Sequence, residues 1–180
     1  MKKTLLTVLA LGSAATAMAA PSNATTFTGP ALEIGVGVGK ADVKNHNLDE
    51  KNKTDVSLRG NYNVDYGSNW IGGAEVAVKP LKRTLGSNAA GTVKQKMDAS
   101  VSYVQGYRFA QDAMAYGKVG YHYGRFENVN NMNGLGYGLG MKYAVTPNVE
   151  LGGEWEQTRY KRNDDKATNN SYMLTVGYRF

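Results

Sequence analysis

From residue 31 to the C-terminus the chain repeats one pattern, in which large apolar side chains occupy every second position of segments about ten residues long. A period of two is a strand period, and no helical face competes with it. The alternation predicts eight strands, at 31–41, 54–65, 70–79, 97–109, 113–126, 135–145, 149–160 and 171–180. In the sixth of these Leu135, Tyr137, Leu139, Met141, Tyr143 and Val145 share one face, while Gly136, Gly138, Gly140, Lys142 and Ala144 share the other.

Period two says only that the two faces differ, and a soluble lipocalin-like barrel would also alternate, with its apolar face inward. Side-chain size separates the two. Eight strands enclose a lumen that side chains just fill, so a ring of Tyr, Leu and Met from every strand would overpack it. Turned outward, the same residues meet lipid. Glycine weakens a strand and has no purpose on a solvated face, but in a narrow lumen it leaves room for long charged neighbours. The fold class expected is therefore all-β: a closed, eight-stranded, antiparallel transmembrane β-barrel. The 12 tyrosines and two tryptophans fit interfacial belts, with Trp70, Tyr107, Phe109, Tyr178 and Phe180 in one girdle. A mean hydropathy of −0.44 is compatible, because only alternate residues face lipid.

The N-terminus supplies the route to a membrane. Lys2 and Lys3 precede an apolar run from Leu5 to Leu11, and Ala17-Met18-Ala19 has the A-x-A form of a cleavage site. A spanning helix needs about 20 apolar residues, and Gly12, Ser13 and Thr16 interrupt the run. Residues 1–19 are thus expected to be a cleaved signal peptide, leaving 180 − 19 = 161 residues as one domain: a short periplasmic segment at 20–30 and the barrel at 31–180. No peptidoglycan-binding domain is expected after Phe180. The chain has no cysteine, so neither disulfides nor thiol chemistry enter. Its net charge is +6, or 6 − 2 = +4 without the two leader lysines, which does not argue for nucleic acid.

Carrying the two faces through every strand points Glu33, Asp55, Glu75, Asp98, Glu150, Glu154 and Glu156 inward, together with Arg59, Lys79, Arg108, Lys118, Lys142 and Arg179. The near balance of sign fits a plug of ion pairs, because an unpaired buried charge is far more costly than a paired one. An alternative makes Glu154 and Glu156 an acid/base pair or a cation site; the nearby Lys and Arg argue against it. His122 shares the inward phase, and His46 stands alone in the first loop. Two histidines without cysteine give no metal pattern, so no cofactor or metal is expected.

The connections alternate in length. Those at 66–69, 110–112 and 146–147 are tight, whereas 42–53, 80–96, 127–134 and 161–170 are longer and polar, as periplasmic turns and extracellular loops are. From 79 to 96 Lys79, Lys82, Arg83, Lys94 and Lys96 occur without one Asp or Glu; near the fourth loop Arg159, Lys161, Arg162 and Lys166 are diluted by Asp164 and Asp165. A basic rim of Lys82, Arg83, Lys94, Lys161 and Arg162 would meet the phosphates of lipopolysaccharide or anionic host glycans. The same residues also read as an ordinary solvated loop face.

Tyr116-Gly117-Lys118-Val119-Gly120-Tyr121-His122-Tyr123-Gly124-Arg125-Phe126, Lys142-Tyr143-Ala144-Val145-Thr146-Pro147-Asn148-Val149-Glu150-Leu151, Glu156-Gln157-Thr158-Arg159 and Val176-Gly177-Tyr178-Arg179-Phe180 resemble the outer membrane protein X and opacity-adhesin-like barrels. The likeness covers the mature chain and is densest after residue 113. It implies an integral outer-membrane barrel inserted by the assembly machinery, which would recognise a last strand displaying Tyr172, Leu174, Val176, Tyr178 and Phe180. It also implies adhesion, host-factor binding or envelope defence. The expected function is accordingly that of a nonenzymatic, monomeric surface protein acting through its loops, with outer-membrane lipid, lipopolysaccharide and a host or surface ligand as partners. A small-solute channel and an outer-membrane lipid hydrolase are the alternatives. The small barrel enzymes that act on lipid A need a closely spaced His and Ser pair, which this sequence lacks.

Overall fold

The structure, a computed structural model, describes residues 26–43, 53–80, 83–88, 91–127, 132–162 and 165–180. The expected leader at 1–19 lies outside the described residues, and of the expected 20–30 segment 26–30 is described.

Nine strands occur among the described residues: β1 (Gly29–Val43), β2 (Lys53–Gly67), β3 (Trp70–Lys79), β4 (Arg83–Asn88), β5 (Gly91–Ala110), β6 (Ala113–Glu127), β7 (Met132–Ala144), β8 (Val149–Arg162) and β9 (Asp165–Arg179). Consecutive strands pair antiparallel except β3 and β4, β9 returns to β1, and β3 closes the wall against β5. The barrel is closed with eight staves, because β3 and β4 lie along the same edge of β5: Trp70 to Lys79 face Tyr107 to Asp98, and Arg83 to Asn88 face Gln95 to Gly91.

Of the 80–96 loop expected from the sequence, 83–88 and 91–96 are therefore strand that continues the wall, and of the expected 161–170 loop 161–162 and 165–170 belong to β8 and β9, paired up to Arg162 and Asp165. Beyond the membrane both faces of a strand are wet, so the apolar alternation fades although backbone pairing persists. At the opposite end β7 stops at Ala144, and Val145, placed in a strand by the alternation, enters a turn. There Thr146 Oγ1 accepts from the backbone nitrogens of Asn148 (3.3 Å) and Val149 (3.0 Å), while Asn148 Nδ2 donates to Arg179 O at 2.8 Å. Gly67, Ser68 and Asn69 turn β2 into β3 with φ of 85°, 51° and 68°. The tight turns, the start of β1 and Phe180 thus share one end of the barrel, the periplasmic one by the usual pattern of short turns.

Tracing paired residues once round the wall from Leu32, through Gly60, Val76, Val101, Tyr121, Leu135, Arg159 and Thr168, returns to β1 at Asp42, a stagger of 42 − 32 = 10 residues. Eight strands with that stagger tilt by about 40° and set the backbone about 8 Å from the axis. The lumen is narrow enough for side chains to fill it.

Burial settles the orientation of the faces. Leu174 is 72% exposed and Leu139 63%, while Arg59 is 1% exposed and Glu33 2%. A protein that hides its guanidinium and shows its leucines has hydrocarbon for a solvent. Trp70 stacks edge-on with Tyr107 (5.1 Å), as does Tyr178 with Phe180 (5.1 Å), at the turn end; Tyr137 meets Trp155 (5.9 Å) nearer the loop end. Most strand glycines face the lumen, but Gly60, Gly72, Gly117 and Gly153 fall on the outward phase, so glycine alone does not mark the inner face.

Candidate functional site

Among the described residues the lumen ion pairs of Glu33, Glu75, Glu150 and Glu154 fall into two clusters. Nearer the turns, Lys142 pairs with Glu33 and lies 3.5 Å from Glu150, Arg179 grips Glu150 through Nε and Nη2, and Asn61 Nδ2 donates to Glu33 at 2.5 Å. These four charges come from β1, β7, β8 and β9, so the cluster ties the last strands to the first.

Higher in the barrel, Glu154 accepts both Arg59 Nη1 and Nη2 at 2.9 Å, Lys118 Nζ at 2.9 Å and Tyr116 Oη at 2.8 Å. Lys118 also reaches Glu75 at 3.1 Å and Glu156 at 2.7 Å, and Lys79 joins Glu156 at 2.9 Å. Above them Asp98 contacts His122 Nδ1 at 3.2 Å and accepts from Tyr160 Oη at 2.5 Å, and His122 Nε2 lies 4.0 Å from Glu156. Asp55 is buried on the same inner face, whereas Arg108 is half-buried at the turn-end mouth, 3.5 Å from Asp65 and from Thr26 O.

This geometry bears on the acid/base alternative. A general base must offer a free lone pair to a substrate that can reach it. Glu154 and Glu156 instead direct their oxygens to three cations and a phenol, and both are buried. His122 is 1% exposed and held by Asp98. Among the described residues no group of three or more His, Cys, Asp or Glu is arranged to hold a metal ion.

The alternation pointed to tyrosines turned toward lipid, but Tyr116 and Tyr160 are buried in the lumen, with Met114 and Met173. What admits them is the glycine ladder of β7. A Cβ on Gly134 would come within 2.8 Å of Tyr160 Cδ1, on Gly136 within 2.8 Å of His122 Cδ2, and on Gly140 within 2.7 Å of Tyr116 Cε1; on Gly138 it would touch Lys118 Cε at 3.4 Å. Four alternate glycines thus receive four large side chains from β6 and β8. The signal lay in the sequence: Tyr116 shares the phase of Lys118 and His122, and Tyr160 that of Glu154 and Glu156.

Phe27 gave no such signal. It precedes the first strand, has φ of 72° and is 0% exposed, packed with Ile71, Val104, Met114 and Tyr116 as an apolar layer closing the turn end. Asn63 Nδ2 donates to its carbonyl at 3.2 Å.

Of the basic rim, Lys82 lies outside the described residues. Arg83 is on β4, Lys94 on β5, and Lys161 and Arg162 end β8, so the described backbone collects four of the five at the loop end. Lys94 pairs with Thr84, Lys161 with Lys166 and Arg162 with Asp165. His46 also lies outside the described residues.

The family described as "Outer membrane protein beta-barrel domain" matches residues 5–180. The chain belongs to that family. As a member of the outer membrane protein β-barrel family it is an integral outer-membrane protein, and the family is defined by its barrel and not by a reaction. Outer membrane protein X of Enterobacter cloacae is 37% identical over 84 residues, 41% of this chain and 46% of that protein, so the chain spans about half the length of that curated relative. Among solved structures, Ail, the attachment invasion locus protein of Yersinia pestis, superposes with a TM-score of 0.60 at 21% identity, covering 86% of this chain and all (100%) of that one. Neisserial surface protein A gives 0.65 at 14% identity, with 84% and 97% covered. OprG of Pseudomonas aeruginosa gives 0.57 at 14%, with 87% and 98% covered. At these identities the likeness to the solved barrels is one of fold.

Proposed function

We propose that this chain is a nonenzymatic surface barrel whose transmembrane part is a closed scaffold and whose loop end binds polyanions, in adhesion or envelope maintenance. The observation that supports this best is the mutual neutralisation inside the lumen: Arg59, Lys79 and Lys118 are spent on Glu75, Glu154 and Glu156, so these described charges face one another and not a substrate or a permeating ion. Basic residues at the loop end remain to act outward. Phosphate-rich lipopolysaccharide and sulfated or acidic host glycans are the chemistry they fit. A structure of Ail has been solved with the heparin analogue sucrose octasulfate, a polyanion of the same class. Residues 1–19 are read as the leader removed on export, and the last strand, ending at Phe180, as the segment the assembly machinery takes up; the barrel is read as a monomer.

Replacing Lys82, Arg83, Lys161 and Arg162 together with Gln should weaken binding to heparin-coated beads and flatten its salt dependence, since each lost phosphate or sulfate contact removes a screened charge. Unaltered retention at every salt concentration would refute the loop reading. In planar bilayers the purified protein should show no stable conductance, and steady openings would favour a channel instead.

A further inference from the structure

The outward face of β8 changes character along its length: Leu151, Gly153 and Trp155 are followed by Gln157 and Arg159 toward the loop end. Gly153 lacks a side chain where its neighbours are large. Its paired residues Met141 and Leu174, with Leu139, Trp155 and Tyr172 around them, leave a shallow apolar trough of about 900 Å³ on the outer wall. A convex barrel surface has no structural need for such a depression, and no described residue fills it. The polar groups lie directly above: Arg159 Nη2 donates to Tyr137 Oη (3.1 Å) and Gln157 Oε1 (3.2 Å), its guanidinium lies 5.5 Å from the Tyr137 ring centroid, and Gln157 Nε2 donates to Asn170 Oδ1 at 2.9 Å. Tyr137 packs edge-on against Trp155, so the cation is braced on the aromatic wall of the trough. Arg159 is exposed, and its partners among the described residues are all neutral.

Six residues of tilted strand separate Gly153 from Arg159, about 15 Å along the membrane normal. That is the geometry of an amphiphile lying flat on the wall. We propose that this face binds one phosphorylated glycolipid of the outer leaflet, its phosphate on Arg159 and one acyl chain in the trough over Gly153. The placement of Arg159 toward the loop end selects the outer leaflet. The fixed guanidinium supplies the charge complementarity that bulk annular lipid would not require. The site is separate from the loop residues of the polyanion reading.

The chain has 2 tryptophans, so Trp70→Phe leaves Trp155 as a reporter inside the trough. In nanodiscs of brominated phosphatidylcholine, bulk chains quench Trp155; unbrominated bisphosphorylated lipid A should relieve that quenching saturably, at one lipid per barrel. Arg159→Gln should raise the half-saturation point about tenfold, the loss of one charge-assisted contact. Gly153→Leu, which fills the trough, should abolish the relief, Arg159→Lys should restore most of it, and lipid A without phosphates should behave like Arg159→Gln. Lys82→Gln combined with Arg83→Gln should change nothing. Relief that grows linearly with lipid fraction, that is indifferent to Arg159→Gln, or that phosphatidylglycerol produces equally well would overturn the proposal. Heat-modifiable gel migration verifies that each variant is folded; if Arg159→Gln is not, Arg159→Lys and Gly153→Leu make the same comparison.

Discussion

Gly140 and Tyr116 illustrate how closely single positions are matched. The Tyr116 ring occupies the space a Cβ on Gly140 would take, and its hydroxyl completes the hydrogen bonding of Glu154. Gly140→Ala should therefore destabilise the barrel by about 1–3 kcal/mol through overpacking. In a double-mutant cycle with Tyr116→Leu the penalty should largely vanish, read from urea unfolding in lipid vesicles. Additive costs would mean the two do not collide. Lys118 serves three carboxylates at once. Lys118→Met should cost about 3–5 kcal/mol in the same assay, because it leaves Glu75 and Glu156 facing each other with a cation removed.

Among the strands, stability follows the surroundings of each segment. The lower part of β5 is bonded on both sides, by β3 and β6, and lies in the membrane, whereas β4 is a short hairpin arm paired with the upper end of β5. Backbone amides of β4 should exchange with deuterium well before those of 98–107, since only the latter need opening of the barrel wall; equal protection would argue that β4 is held by further contacts. The segment entering β1 acts as a stopper. Phe27→Ala should cost about 3–5 kcal/mol by emptying the apolar layer under Ile71 and Met114. Migration as a folded barrel on unheated gels should survive, because no strand pairing depends on Phe27.

The closed wall satisfies its own backbone and hides its charge, so its outer surface is apolar and its axis polar, the inverse of a soluble protein. The processed chain should accordingly require detergent or lipid to remain monomeric; recovery as a detergent-free soluble monomer would refute the orientation of the faces. That orientation was legible from residues such as Leu139 and Lys142, because period-two alternation acts wherever lipid and lumen demand different side chains. It gave no strand signal for 83–88, 91–96 and 165–170, where the alternation is absent from the sequence and the backbone nevertheless pairs.

What the amino-acid order determined unaided is the barrel, its inner and outer phases and the list of inward charges, since each follows from the pleat of a single strand. Which charge meets which, the fit of Tyr116, His122 and Tyr160 to the β7 glycines, the burial of Phe27 and the trough over Gly153 were decided by the tertiary structure. They depend on the ten-residue stagger and on closure, which set residues distant in the chain at one height, and no local period encodes that sum.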